Sequence, residues 1–383
     1  MKIAILLPNL GGGGAERISL DLAREFAWAG HEVEFVLLRA EGEFLPEAEK
    51  TSIAVVDLGI DRIRRLPRAL SAYLSRSRPD ALIATMWPLT PLAVLARILS
   101  GHRCRLMLAE HNMLSIQYEK HGWLHRLILR LTMALGYRGA DAVLGVSEGV
   151  VDDMARLAAL PARRLHVVHN PIAQPAMSDA VTLEKADKLW GVPRGDRILA
   201  VGRFKAQKNY PLLLRAFAKL PSIRDARLML LGTGEEEAEL RALAGTLGAA
   251  DRVIFAGFQP DPAPFYRTAD LFVLSSDHEG LPTVIIEALA CGLPVVSTDC
   301  PAGPAEILER GKYGALVPMR DESALAEAMA TALAQNHDPE LLRARAQDFS
   351  SERAAAHYLA LLSAAPNGRA STTGHPAEMP HPR

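Results

Sequence analysis

Residues 1–38, MKIAILLPNLGGGGAERISLDLAREFAWAGHEVEFVLL, decide the fold. Lys2 to Leu7 is a short, almost wholly apolar run closed by Pro8, the texture of a buried strand. Gly11 to Gly14 make a glycine-rich turn. From Ala15 onward Ile18, Leu22, Phe26 and Ala29 recur at helical spacing, and Gly30 supplies the stop. Glu32 to Leu38 is a second strand-like run. The unit is a strand, a helix and a strand, with glycines where the chain turns from the first strand into the helix.

The same alternation continues along the chain. SIAVVDL, DALIAT, RLMLAEH, AVLGVS and RLHVVHN read as further short strands separated by helical stretches. Pro171 opens a Pro/Ser/Ala-rich segment, PIAQPAMSDA, with little to pack, and is the expected hinge. From Asp196 the pattern restarts with RILAVG, ARLMLLG, RVIFAGF, ADLFVLSS, LPVVSTD and ALVP. Short buried strands alternating with helices imply parallel sheets covered on both faces. The expectation is an α/β chain of two Rossmann-like domains facing across a cleft, residues 1–172 and 173–350, with a C-terminal helix over 351–364. The segment 365–383, without Leu, Ile, Val or Phe, is expected to be disordered.

At 383 residues, 49% apolar and 23% charged, the chain has the composition of an ordinary globular protein of about two domains. A net charge of −1 gives no reason to expect a nucleic-acid partner. Cys104, Cys291 and Cys300 form no disulfide framework and share no metal-ligand spacing, which fits a cytoplasmic setting. The apolar run after Met1 is too short for a secretory signal. The longest uncharged stretch, Ala81 to Ala96, contains Pro88 and Pro91 and is too short to span a bilayer.

Three clusters bear chemistry. The turn with Gly13 and Gly14 brings backbone to a helix N-terminus, where an anion is stabilised. It lacks the spacing of a dinucleotide fingerprint, because Glu16 stands where the third glycine would be, and Arg39 follows the second strand where a ribose-binding acid would stand. A plain tight connection is the alternative. In GRFKAQKN, Gly202 to Asn209, the cations Arg203 and Lys208 follow the first strand of the second half and suit a diphosphate; a solvated basic loop is the plain alternative. In EGLPTVIIEALACGLP, Glu279 to Pro294, a helix is expected to start near Pro282, taken as its first helical residue, and to end at Gly292. The N–H groups of Gly280, Leu281, Thr283 and Val284, around Pro282, would then form an anion site, with Glu279 before it and Glu287 inside the helix as acceptors for sugar and ribose hydroxyls. No two aspartates stand two apart, so no D-x-D metal motif is present; no metal and no cofactor are expected.

With GGGAER (Gly12 to Arg17), GRFKAQKN and the E-x7-E of Glu279 and Glu287 in this order, the chain resembles glycosyltransferase family 4, a retaining family of GT-B fold. The resemblance covers most of residues 1–350. It implies that Arg203 and Lys208 bind the diphosphate of a nucleotide-sugar donor, that Glu279 contacts the transferred sugar, and that Glu287 holds the ribose. It implies that Gly13 and Gly14 lie near diphosphate and acceptor, and that His111 of AEHN faces the reacting sugar. Members with GGGAER, EHN and a run like TDCPAGPAEIL (Thr298 to Leu308) resemble bacterial enzymes that extend lipid-linked glycans, often with N-acetylhexosamine. Glu279, His111, Arg203 and Lys208 are the catalytic candidates. A nucleotide-sugar epimerase and a non-catalytic nucleotide-sugar-binding subunit are the competing readings.

One segment points toward a membrane. Trp123 to Arg138, WLHRLILRLTMALGYR, contains no acid, and Arg126, Arg130 and Arg138 with His121 and His125 make it basic. Such a helix can lie in a headgroup plane, giving peripheral contact through 121–138 at the inner face of the cytoplasmic membrane. The alternative is a core helix. On that reading Leu124, Leu127, Ile128 and Leu131 form its buried face, and Leu129 and Met133 extend around the cylinder.

Overall fold

The computed structural model describes residues 1–51, 53–172, 179–191, 196–220 and 225–364. Most of the expected hinge and the expected disordered segment 365–383 lie outside these residues.

All thirteen strand-like runs form strands, and every pairing is parallel. In the first lobe β1 (Lys2–Leu7), β2 (Glu32–Leu37), β3 (Ala54–Asp57), β4 (Ala81–Thr85), β5 (Arg105–Glu110), β6 (Ala142–Gly145) and β7 (His166–Val167) lie in the order 3-2-1-4-5-6-7. In the second, β8 (Arg197–Val201), β9 (Arg227–Leu231), β10 (Val253–Gly257), β11 (Leu271–Leu274), β12 (Val295–Thr298) and β13 (Ala315–Val317) lie in the order 10-9-8-11-12-13. Both orders reverse beside the lobe's first strand, between β1 and β4 and between β8 and β11. Loops at such a reversal splay apart and open a crevice at the carboxyl ends of the strands.

The sheets are buried on both faces. Ile3, Ile5 and Leu7 face one core layer with Phe26 of the helix Gly14–Trp28, while Ala4 and Leu6 face another with Leu70 and Tyr73. That is why these strands read as continuous apolar runs instead of alternating ones.

The C-terminal helix, Ser351–Ser363, returns to the first lobe. Its Ala354, Ala355, Tyr358 and Leu362 join the core under the first helix, with the Tyr358 and Phe26 rings 6.2 Å apart. The crossing is pinned where the chain left: Ile172 N donates to Phe349 O at 3.0 Å, and Ser351 Oγ donates to Ile172 O at 3.0 Å.

The helix Trp123–Arg138 spans the expected residues but turns the opposite face inward. Leu129, Met133, Gly136 and Tyr137 are buried, whereas Leu124, Leu127, Ile128 and Leu131 are exposed. The reason is the neighbour. A Cβ on Gly136 would lie 3.0 Å from Pro91 Cα, and one on Gly139 2.6 Å from Val94 Cγ1, so the glycine side is the one that meets the helix Leu89–Ser100.

Candidate functional site

The loops after β1, β8 and β11 carry the residues singled out in the sequence except His111, which follows β5, and all three open at the strand-order reversals. The β8 loop is held in shape by its neighbours. Tyr210 Oη donates to Gly202 O at 3.1 Å, and Gly202 has φ of 152°, a glycine conformation. Asn209 caps the next helix by accepting from Leu212 N, and its amide donates to Asp277 Oδ1 at 2.9 Å. Gly234 of the LGTG turn lies against the backbone of Phe204, where a Cβ would be 2.3 Å from the carbonyl oxygen. That turn therefore buttresses the Arg203 loop.

Lys208 and Glu279 meet here. Lys208 Nζ lies 2.7 Å from Glu279 Oε1, and the same oxygen accepts from Ser276 Oγ at 2.6 Å. Ser276 is in turn fixed by Thr298 Oγ1, which donates to its carbonyl at 2.7 Å. Glu279 is only 7% exposed, so these partners stand in for the water its carboxyl group has lost. Gln207 Nε2 donates a hydrogen bond to His278 O at 2.7 Å. The helix that follows runs from Thr283 to Ala290. Pro282 stands at its cap, one position earlier than expected, and Cys291, just before Gly292, closes it. Its first N–H groups have no partner within the helix and open toward the same crevice.

Glu287 lies farther along that helix. Its Oε2 accepts from the buried Tyr266 hydroxyl at 2.9 Å. Burial raises its carboxyl above the usual range, opposed by the Tyr266 and Thr283 hydroxyls and by Arg17 of the first lobe. Burial likewise raises the Glu16 carboxyl, against its own N–H and the positive charge of Arg203. Arg203, itself exposed, thus acts electrostatically on the glycine turn of the opposite lobe. The carboxylates of Glu43 and Glu16 crowd that turn. A Cβ on Gly12 or Gly13 would come within 1.6 Å and 2.3 Å of them, so those flexible side-chain ends would have to swing aside.

The lobes touch at His111 and Gly280. A Cβ on Gly280 would be 1.9 Å from His111 O, which explains the glycine in the E-G-L-P run. Ser147 Oγ donates to Gly280 O at 2.8 Å, and Asn170 Nδ2 to Leu281 O at 3.3 Å. The His111 ring is 7% exposed, and neither nitrogen has a hydrogen-bond partner among the described residues. Burial pushes it down to about 4, so it is neutral near pH 7. It also lines a small internal cavity with Thr85, Ser19 and Tyr358.

The structure therefore brings Arg203, Lys208, Gly280, Leu281, Pro282, Thr283, Glu279 and Glu287 to one crevice. Gly13 and Gly14 lie on its far wall, and His111 reaches it chiefly through its backbone. Sequence reasoning missed Ser276, Tyr266 and Asn170, which hold these groups. It also missed a ring cluster beside the crevice. Trp87 and Tyr118 lie 5.0 Å apart edge to face, with His125 5.4 Å from Trp87 and His121 4.5 Å from His125. The signal for Ser276 was its place at the end of β11. The rings, from separate segments, left no such signal.

A family model for glycosyl transferases group 1 matches residues 188–349, and one for glycosyltransferase family 4 matches residues 12–173. The lipopolysaccharide core biosynthesis glycosyltransferase LpsE of Rhizobium meliloti is 30% identical over 362 residues, which are 92% of this chain and 97% of that protein. The N-acetylgalactosamine-N,N'-diacetylbacillosaminyl-diphospho-undecaprenol 4-alpha-N-acetylgalactosaminyltransferase of Campylobacter jejuni is 28% identical over 348 residues, 87% of this chain and 90% of that one. The crystal structure of Anabaena HepE in complex with UDP-glucose superposes with a TM-score of 0.81 at 23% identity, covering 94% of this chain and 99% of that one. At that identity the likeness concerns fold alone.

Proposed function

Because the chain belongs to glycosyltransferase family 4 and has the GT-B fold, we propose that this glycosyltransferase moves a hexose or N-acetylhexosamine from a UDP-linked donor to a lipid-linked glycan, with retention of configuration and without a metal. The observation that carries this reading is the Lys208–Glu279 pair beside Arg203 at the start of the helix Thr283–Ala290. As the bond from sugar to diphosphate breaks, negative charge grows on the leaving phosphate. Lys208, held by Glu279, and the helix N-terminus are fixed in advance, and Arg203 adds a second cation; together they would stabilise that charge, the task a metal would otherwise perform. Glu279 would position the sugar, and Glu287, oriented by Tyr266, would take the ribose diol. His111, whose ring lines the internal cavity, would act here through its backbone, which holds the loop at Gly280 beside Glu279. No described side chain stands out as a covalent nucleophile, and the resemblance to the family implies that the acceptor hydroxyl would attack from the face the phosphate leaves and pass its proton to that phosphate.

The acceptor class rests on the Campylobacter and Rhizobium relatives, whose names specify a diphospho-undecaprenol glycan and a lipopolysaccharide core. With such an acceptor the enzyme would work at the cytoplasmic face of a membrane. No described helix is long and apolar enough to cross one. The test is transfer from a panel of UDP-sugars to undecaprenyl-diphosphate glycans in the presence of EDTA, with the product anomer read by NMR. An axial, donor-like linkage is expected. An inverted linkage, or activity only after Mg²⁺ or Mn²⁺ is restored, would overturn the mechanism.

A further inference from the structure

The run TDCPAGPAEIL, Thr298 to Leu308, has no part in the chemistry above, yet its middle lies where the two lobes meet. Its turn holds two residues in left-handed backbone, Ala302 with φ of 63° and Gly303 with φ of 90°. For Ala302, which carries a side chain, that conformation is costly and persists only where the surroundings impose it. They do so from both sides. A Cβ on Gly149, in the first-lobe helix Glu148–Ala158, would come 2.6 Å from Ala302 Cβ and 3.0 Å from its Cα. A Cβ on Gly303 would come 2.4 Å from Pro282 Cδ and 3.1 Å from Gly280 O. The turn is therefore a wedge. On one side is a helix start of the first lobe, and on the other the start of the helix Thr283–Ala290.

Glu306 fastens the wedge. Its carboxylate takes two donors from the first lobe: Glu148 N donates to Oε2 at 3.0 Å, and His169 Nε2 lies 2.5 Å from Oε1. Glu148 N is among the first N–H groups of its helix, which have no partner within the helix, and a carboxylate is favoured there. Here the carboxylate comes from the opposite lobe. The helix's own cap is the buried Ser147, which accepts from Val150 N and donates to Gly280 O at 2.8 Å. Behind Glu306, Arg345 donates to Glu306 O and to Ile307 O, each at 2.8 Å, and the Phe349 ring stands 5.3 Å from that of His169. One helix start of the first lobe is thus tied to the wedge through Glu306 and to the donor loop through Ser147. We propose that Glu306, together with His169, is a positioning residue for sugar transfer: the pair sets the wedge, and the wedge sets the first N–H groups of the helix Thr283–Ala290 against the leaving phosphate. The proposal rests on the transferase reading above. A shift of those N–H groups matters most once charge has grown on the phosphate, so loss of the contact lowers kcat more than donor affinity.

The test uses the full chain with Glu306→Gln, His169→Phe, the two together, and Gly149→Ala. Glutamine offers one acceptor oxygen to two donors, and phenylalanine keeps a ring beside Phe349 while removing the bond to Glu306. Gly149→Ala leaves both partners in place and pushes on Ala302 from the first lobe. Hydrolysis of UDP-sugars is followed to saturation, beside thermal melts and hydrogen exchange over residues 279–290. Each single variant should lower kcat about tenfold, change the donor KM by less than about threefold, and speed exchange over 279–290. The double variant should fall no further than the weaker single one, because both residues act through one contact. Normal kcat in Glu306→Gln and His169→Phe, whatever their melting temperatures, would make the pair ordinary lobe packing and overturn the proposal. Losses that multiply in the double variant would overturn the joint action of the two residues, and a normal Gly149→Ala would overturn the wedge. Unchanged exchange over 279–290 would overturn the coupling whether or not donor is hydrolysed. Wild type that hydrolyses no donor, with exchange still faster in the variants, would uphold the coupling and count against the transferase reading.

Discussion

The centre of the site is one ion pair. Lys208 and Glu279 lie 2.7 Å apart with little exposure, so their substitutions have two consequences that must be separated. Arg203 is exposed, and Arg203→Ala should cut turnover about a hundredfold with no loss of stability, the effect of removing one preorganised charge, about 3 kcal/mol. Lys208→Ala should cut turnover as much but also lower the melting temperature, because Glu279 loses its counter-charge in a buried place. Lys208→Ala with Glu279→Gln should regain stability and not turnover. Steady-state kinetics beside thermal melts distinguishes these outcomes. Glu287 differs: its contacts are expected on the ribose and similar in ground and transition states, so Glu287→Ala should raise the donor KM and Glu279→Ala lower kcat. The reverse pattern would exchange their roles. Both glutamates and both cations were legible in the sequence, because each sits at a fixed offset from a strand end or helix start. Tyr266, which orients Glu287, was not, since a lone hydroxyl carries no spacing, and Ser276, which holds Glu279, was marked only by its place just past β11.

Elements were legible where burial leaves a continuous trace. The central strands were found because strands buried on both faces read as unbroken apolar runs, and the exposed edge strands β3 and β7 by their place in the alternation with helices. The helix Trp123–Arg138 was found but its inner face was reversed. It carries apolar residues around most of its circumference, and periodicity alone cannot say which arc a neighbour covers. Gly136 held the answer, because only a residue without a side chain lets Pro91 approach so closely. A buried carboxylate joins this helix to the site. Glu110 accepts from Trp87 N at 3.0 Å, Thr90 Oγ1 at 2.8 Å and Tyr137 Oη at 3.2 Å, tying the helices Leu89–Ser100 and Trp123–Arg138 to the end of β5. Burial pushes its carboxyl up to about 7 from an ordinary 4.5, against those three donors. A raised carboxyl favours the folded state fully below the ordinary value and loses that contribution as pH climbs through 7, a change of order 3 kcal/mol. Glu110→Gln keeps the shape and removes the charge. Its melting temperature should therefore fall less between pH 5 and pH 8 than that of wild type. Parallel curves for the two proteins would show that Glu110 does not titrate in this range.

At the scale of the whole molecule, the two lobes are held by more than the crevice. His169 Nε2 lies 2.5 Å from Glu306 Oε1, Ser147 and Asn170 bond the loop at Gly280 and Leu281, and the C-terminal helix carries the chain back under the first lobe. That return was not legible: the sequence marked a helix over 351–364 but nothing in its pattern named the lobe it covers. Tyr358→Ala should cost roughly 3–5 kcal/mol, the range for emptying a buried aromatic site, and should do so in the first lobe even though the residue follows the second in sequence. Hydrogen exchange in β1 and the first helix would report it. The central claim, that Arg203, Lys208 and the helix start at Thr283 together expel a nucleotide diphosphate from a sugar, is tested most directly by UDP release. Purified protein is incubated with UDP-sugars in EDTA and without acceptor, beside the Arg203→Ala variant. Slow UDP release from one of the donors by wild type, reduced about a hundredfold in the variant, is the expected result. Release of no UDP from any donor, or an epimerised sugar nucleotide left intact, would contradict it.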